Sequence, residues 1–283
     1  MTLTPREMEP PAALGAPRRR GAVDVLGLEE RGFSAWPAPQ NVYFGGWVFR
    51  LGGGFSKRAN SANALGDRQD FRSDSINAWT PKLDFSAVRA EAERLYDSKG
   101  LPTIFRLTPI AGAATDLALA NAGYHALEPH TVMTTTPDAS MPVADVRLEP
   151  GPTPDWLNGV TAANGVAPSH RAIHDLIVKS IALPAAFATW IVDERALGFG
   201  MAVLDRGAVG LFDIVVQSQA RGQGGGRKLT RALMAWGREN GAATAYLQVV
   251  DANAVARRLY QTLGFEDAYK YHYRRRELGA ASV

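Results

Sequence analysis

Two stretches late in the chain constrain its fold more than anything else in it. Arg221-Gly222-Gln223-Gly224-Gly225-Gly226 follows an apolar, strand-like run and opens a helical pattern. Twenty-seven residues past Gly226 comes Asn253, followed by Ala256, Tyr260 and then Gly264-Phe265. A helix start leaves its first backbone N–H groups unpaired at the positive end of the helix dipole. Phosphate oxygens satisfy both features if the backbone can come close, and glycine permits that approach. Gly222, Gly224, Gly225 and Gly226 clear the way. Arg221, Gln223, Arg227, Lys228 and Arg231 surround it, and no acidic residue occurs from 217 to 231. The loop therefore suits a pyrophosphate.

Taken alone, such a loop is also what a flexible surface turn looks like. A dinucleotide fold would need repeating βαβ units and an acidic residue about 20 positions on. Glu239, near that spacing, falls inside the helix. A P-loop needs Gly-Lys-Ser/Thr, which does not follow. Asn253, Ala256 and Tyr260 stand at i, i+3 and i+7 and so share one helical face. Asn253 suits the N-cap, Ala256 is small enough for a ligand to lie against, and Tyr260 would point into the loop's groove. A phenol with a pKa of about 10 can give a proton to a departing thiolate and recover it from solvent. A lone Tyr beside Leu259 and Leu263 would otherwise be a packing residue.

With 283 residues there is room for two domains of about 140. Cysteine is absent, which excludes disulfides, thiolate metal sites and an acyl-cysteine intermediate, and fits a reducing cytoplasm. No run of about 18 apolar residues predicts a membrane span. Arg18-Arg19-Arg20 is not followed by the apolar core of a signal peptide. A net charge of +3 is too small to argue for a nucleic-acid partner. His170 and His174 share a helical face, but no Glu, Asp or third His joins them at metal spacing, so no metal is expected.

Residues 1–20, rich in Pro, Ala and Arg, are expected to be disordered. Periodicity predicts helices over 23–33, 84–98, 115–122, from 155, and over 170–181, 225–240 and 253–263. It predicts strands over 47–51, 101–107, 143–148, 187–192, 197–204, 207–216, 243–249 and 269–275. The Thr- and Pro-rich stretch 134–142 marks a boundary. The chain then divides into an extension (1–20), a first domain (21–138) and a second (139–283). Strands mixed with helices in this way argue for an α+β fold. The halves also look like copies: Gly100 and Gly123 lie 23 residues apart, as do Gly241 and Gly264. Tyr124 answers Phe265, but Leu119 takes Tyr260's place and 80–85 has no glycine. The first half therefore reads as a fold without a working cofactor site, and calorimetry should count one nucleotide site per chain.

Residues 143–276 resemble the GNAT superfamily of acyl-CoA-dependent N-acetyltransferases. The family's Arg/Gln-x-x-Gly-x-Gly/Ala signature is matched by Arg221, Gly224 and Gly226. Its Asn-x-x-Ala-x-x-x-Tyr helix, closed by Gly-Phe, is matched by Asn253, Ala256, Tyr260, Gly264 and Phe265. The first half, with Gly46-Trp47, Arg50 and Arg58-Ala59-Asn60-Ser61, is similar to the degenerate partner domain of two-domain bacterial members. The resemblance implies two GNAT-like domains, each with a mixed, splayed central sheet flanked by helices. It also implies acetyl-CoA as co-substrate, with backbone groups near Ile214, Val215 and Val216 bonding the pantetheine arm. An N–H there would hold the thioester oxygen, a form of oxyanion stabilisation. Direct attack by an amine needs only positioning and no covalent enzyme intermediate.

The attacking amine must be neutral, so a base or water relay is required. The strand position that often carries a glutamate in the family, eleven residues before Arg221, is Gly210. Asp213 is the only carboxylate on that strand, and alternation puts it on the opposite face unless a bulge re-aims it. It is taken as the candidate base, with a structural role as the alternative. The expected acceptor is a small-molecule amine. The other readings are a protein lysine or N-terminus as acceptor, and a non-catalytic acyl-CoA-binding module in which Tyr260 only packs. The basic strand 270–276 could attract an acidic or phosphorylated molecule or be a solvated edge. Nothing in the sequence fixes the acceptor, the acyl chain length or the oligomeric state.

Overall fold

The computed structural model describes residues 23–66, 84–138 and 143–279. The expected disorder of 1–20 and the glycine-free stretch at 80–83 lie outside them. The first half runs α1 (Val25–Ala35), β1 (Gln40–Phe44), β2 (Trp47–Leu51), a 3-10 turn (Lys57–Ala59) and β3 (Ala62–Ala64). It continues with α2 (Phe85–Asp97), β4 (Thr103–Leu107), α3 (Ala113–Asn121), β5 (His125–Ala126) and β6 (His130–Thr135). The second half runs β7 (Val146–Glu149), α4 (Pro154–Ala163), α5 (Arg171–Lys179), β8 (Ala185–Val192), β9 (Arg195–Asp205) and β10 (Ala208–Val216). It ends with α6 (Gly225–Glu239), β11 (Thr244–Val250), α7 (Ala254–Thr262) and β12 (Glu266–Arg276).

The expected mixed sheets flanked by helices are present and joined into one open sheet. Its order is β1-β2-β3-β4-β12-β6-β11-β10-β9-β8-β7, with β5 against β12. The order is nearly symmetric. β4 lies parallel to β3 as β11 lies parallel to β10, each flanked by an antiparallel run. At the centre the halves trade strands. β6, from the first half, pairs with β11 on one side and with residues 266–271 of β12 on the other. The rest of β12, residues 272–276, pairs with β4 of the first half. The Thr-rich stretch expected to be a linker from 134 thus starts inside a strand. His130-Thr131-Val132-Met133-Thr134-Thr135 gives a weak strand signal because its partners come from the other half.

The duplication is visible in hydrogen bonds. Leu101 N donates to Tyr96 O at 3.0 Å and Ala242 N to Gly237 O at 2.8 Å, each around a positive-φ glycine (Gly100, Gly241). Tyr124 N donates to Leu119 O and Phe265 N to Tyr260 O, at 3.0 and 3.1 Å, around Gly123 and Gly264. These αL glycines let each helix end and the chain turn back onto the sheet.

Strand alternation divides the core by face. On one face Met133, Leu247 and Val249 pack with Leu229 and Leu233 of α6, both fully buried. The same face carries Phe105 and Leu107 against α2 and α3. On the opposite face Val132, Tyr246, Phe212, Tyr269, Tyr271 and Tyr273 meet α1, α4 and α5 through Trp36, Trp156 and Ile177. Each buried Leu contributes about 1.5–3 kcal/mol of transfer free energy, so both layers are needed to hold the sheet. Among the described residues no helix is long and apolar enough to cross a membrane.

Candidate active site

α6 starts without a side-chain cap, on Gly224 in the left-handed region at φ +83°. Its first backbone bond runs from Lys228 N to Gly224 O at 3.0 Å. The amides of residues 222–227 find no acceptor among the described residues. Gly222 and Gly224 have positive φ, and an added Cβ would meet nothing within 4 Å at either. Gly225 has another job: a Cβ there would lie 2.2 Å from the Trp190 ring, so its absence lets α6 press onto β8. Gly226 faces Leu259 of α7. Around the loop Arg221 Nε donates to Val216 O at 3.4 Å and Arg227 Nη2 to Thr262 Oγ1 at 2.8 Å. Lys228 pairs with Asp145 at 2.8 Å across an exposed surface. Bare amides, a helix dipole and neighbouring cations are the features by which a helix start can hold a phosphate.

β10 and β11 pair only from Ala208↔Thr244 to Leu211↔Leu247. Beyond that, residues 212–216 of β10, including Ile214, Val215 and Val216, and residues 248–250 of β11 have no cross-strand partner on their facing sides. The sheet is therefore splayed next to the loop, with backbone groups exposed along the opening. A bulge between Phe212 and Val215 sets Asp213 at φ +50°. Ile214 packs with the α6 layer, while Asp213 faces His174 on the opposite face, Oδ2 to Nε2 at 3.6 Å. The bulge has re-aimed the carboxylate onto the face of Gly210 and Phe212. Gly210 itself has no room for a side chain, since a Cβ would lie 2.5 Å from the Tyr246 ring.

His174 is 1% exposed, lies edge-on to Trp36 and Phe55, and has Nδ1 3.0 Å from Asp175 Oδ1. At 3.6 Å the Asp213 contact is a charge contact, longer than a formed hydrogen bond. Burial of the ring works against its charge. The carboxylates of Asp213 and Asp175 outweigh it and hold the imidazole above its ordinary value. The helical pair His170 and His174 is thus divided: His174 joins the carboxylates, while His170 lies tilted against Phe55, 5.9 Å between ring centres. Among the described residues no group of three His, Cys, Asp or Glu could hold a metal ion.

On the α6 face Asn253 caps α7, its Oδ1 accepting from Ala256 N at 3.1 Å. Ala256 and Tyr260 follow on the same face, and the Tyr260 ring meets Phe265 edge-on, 5.8 Å between centres. The Tyr260 hydroxyl bonds to no described residue, and burial pushes its pKa up to about 12. It is a phenol that stays protonated, as a proton donor must. In the first half Leu119 is wholly buried at the corresponding place.

On the sheet face away from α6 lie residues of which sequence reasoning pointed only to Arg58, by resemblance, and to Tyr271, within the basic strand 270–276. A cleft of about 310 Å³ is lined by Lys57, Arg58, His130, Gln248, Tyr271 and their neighbours. The Tyr271 hydroxyl donates to Gln248 Oε1 at 2.8 Å, and His130 stacks on Tyr271. Burial holds His130 neutral, with its pKa lowered to about 4, and Nδ1 lies 3.0 Å from the Glu128 carbonyl. Beneath the cleft Glu29 and Arg106, 2% and 3% exposed, form an ion pair that also takes the Tyr269 hydroxyl at 2.5 Å. Arg50, equally buried, gives its protons to the carbonyls of Phe33, Trp36 and Arg58. These residues come from six separate stretches, and the strand exchange at the sheet centre brings those of β4, β6, β11 and β12 together.

The family described as "Probable histone acetyltransferase Rv0428c C-terminal" matches residues 23–274. The "Uncharacterized N-acetyltransferase YobR" of Bacillus subtilis is 28% identical over 259 residues, covering 89% of this chain and 98% of its own. Among solved structures, a GCN5-related N-acetyltransferase from Kribbella flavida superposes with TM-score 0.61 at 14% identity, covering 88% of this chain and 94% of its own. A tandem GNAT protein from the clavulanic acid biosynthesis pathway gives TM-score 0.59 at 16% identity, covering 93% and 91%.

Proposed function

The chain belongs to this Rv0428c-type family of GNAT acetyltransferases, and from that premise we propose that it moves an acetyl group from acetyl-CoA to a primary amine by direct attack. The observation that carries the proposal is the row of unpartnered amides at residues 222–227 beside a splayed pair of strands. In this reading residues 222–228 hold the pyrophosphate, while Ile214, Val215 and Val216 bond the pantetheine arm along the opening. Asn253 and Ala256 shape the wall on which the thiol end rests. An N–H of the splayed strand polarises the thioester carbonyl, which supplies a few kcal/mol of barrier lowering.

The amine nitrogen forms the new C–N bond as the C–S bond breaks. The electron pair leaves on sulfur, and Tyr260 gives that sulfur its proton. The amine's surplus proton goes by way of water to Asp213, with His174 behind it. Two observations support that role: the bulge turns Asp213 to the acceptor face, and Tyr246 fills the space beside Gly210. The first half contributes α1 and the 3-10 turn to the acceptor side and no second cofactor site. A protein lysine is the second reading, favoured by the histone acetyltransferase in the family description. The cleft's Lys57 and Arg58 weigh against a basic tail.

The test is calorimetric titration with coenzyme A, followed by thiol release from acetyl-CoA with amines, amino acids, aminoglycosides and lysine peptides. One site per chain and acceptor-dependent thiol release are expected. Failure of coenzyme A to bind, or a site away from residues 221–228, would remove the proposal.

A further inference from the structure

We propose that the acceptor is a small primary amine carrying a carboxylate, and that Arg58 binds that carboxylate; the inference rests on the acetyl-transfer reading above. Arg58 is half-buried, its guanidinium carbon 5.0 Å from the Trp36 ring centre and 5.6 Å from that of Phe212. Its side chain donates to no acid and no carbonyl among the described residues. Of its buried neighbours, Arg50 gives its protons to three carbonyls, while Arg106 pairs with Glu29 through Nη1 alone, its Nε and Nη2 having no hydrogen-bond partner among the described residues. Three guanidiniums and one carboxylate thus surround one small cavity, an excess of positive charge in which Arg50 and Arg106 are buried and Arg58 half-buried. Such an arrangement is costly unless an anion completes it.

Position argues the same way. Arg58 and Gln248 line both this cavity and the larger cleft. Phe212, on which Arg58 stacks, immediately precedes Asp213 at the bulge where β10 parts from β11. A molecule anchored on Arg58 therefore extends alongside the opening and the proposed base. The anchor is also fixed in advance. Asn60, two residues on, accepts from Gly52 N and Gly54 N at 2.9 and 3.0 Å and donates to Ser56 O at 3.1 Å, which ties the loop down.

A carboxylate suits the site better than a phosphate does. The planar guanidinium fork matches two coplanar oxygens. Of the two cations that line the larger cleft, Lys57 is already paired with Glu128, which leaves Arg58 to meet the ligand there. A volume of about 310 Å³ is at the lower end for ligand sites and fits an amino-acid-sized molecule.

The experiment uses the full chain, acetyl-CoA and amines in matched pairs: each carboxylate, its carboxamide and its phosphate analogue, with coenzyme A affinity measured in the same samples. The wild type should prefer the carboxylate of at least one pair by about 10²-fold in kcat/KM, chiefly through KM. Arg58→Met should reduce that preference to about threefold or less, and Arg58→Lys should restore part of it. Coenzyme A affinity and the thermal midpoint of both variants should stay at the wild-type values. The inference is overturned if no pair favours the carboxylate tenfold, if the phosphates are preferred, or if Arg58→Met slows carboxylate and carboxamide equally. Equal turnover of carboxylates and their uncharged analogues with coenzyme A bound overturns this inference alone, whereas loss of coenzyme A binding in the wild type overturns the reading beneath it.

Discussion

Gly224→Ala, compared with Gly207→Ala, separates backbone strain from ligand contact. Both glycines hold left-handed backbone, φ +83° and +75°, and an added Cβ meets nothing within 4 Å at either. Gly224 is the N-cap of α6, whereas Gly207 sits in the turn between β9 and β10, away from the loop. Left-handed backbone costs an L-residue about 1–2 kcal/mol. At about 2–4 °C per kcal/mol, each variant should melt roughly 2–8 °C below the wild type. Only Gly224→Ala places a methyl where a phosphate would press against the amides. Losing one hydrogen bond to a charged acceptor costs about 1.5–3 kcal/mol. Coenzyme A should therefore bind Gly224→Ala about 10- to 150-fold more weakly and Gly207→Ala as the wild type does. Scanning calorimetry and isothermal titration on both proteins read the two quantities. Equal dissociation constants for the two variants would refute the argument that these amides grip a phosphate.

Tyr260→Phe should lower kcat by about 10²- to 10⁴-fold with little change in coenzyme A affinity or melting, because the hydroxyl bonds to none of the described residues. With a pKa near 12, about one Tyr260 in a thousand is ionised at pH 9, so alkaline rate loss below about pH 11 should not come from it. Glu29→Gln should cost about 3–5 kcal/mol in urea denaturation by stranding buried Arg106, and the double variant Glu29→Leu/Arg106→Met should recover much of that. His174 and His130 should titrate on opposite sides of about 6.5 by NMR. The raised pKa of His174 gives stability that is full below about 6.5 and lost as pH climbs through the folded value, so His174→Gln should be most damaging in acid. His130, lowered to about 4, costs the wild type stability as pH falls from about 6.5, and His130→Gln should relieve that loss.

The loop before α6 and the α7 helix were legible because their chemistry is local. Glycines, cap and phenol lie within forty residues of one another, and periodicity alone orients them. Asp213 was half legible. Alternation put it on the wrong face, and only the bulge, with its φ of +50°, decided the matter. β6 was legible only through the duplication, as the counterpart of the strand that follows Gly264-Phe265; its own threonines resemble a linker until β11 and β12 supply the pairing. The acceptor cleft was beyond reach for the same reason. Arg58, His130, Gln248 and Tyr271 meet only because β6 crosses into the second half and β12 into the first.

That crossing has a bearing on how the chain is made. β12 leaves the ribosome after every other described element, so until residues 272–276 emerge β4 waits with one edge bare, the kind of edge on which nascent chains stick together. The second half, for its part, relies on a strand synthesised well over a hundred residues earlier. Two polypeptides produced by splitting the gene between codons 138 and 143 should each be poorly soluble when expressed singly. Co-expressed, they should complement one another, each bringing the ribbon that the other lacks.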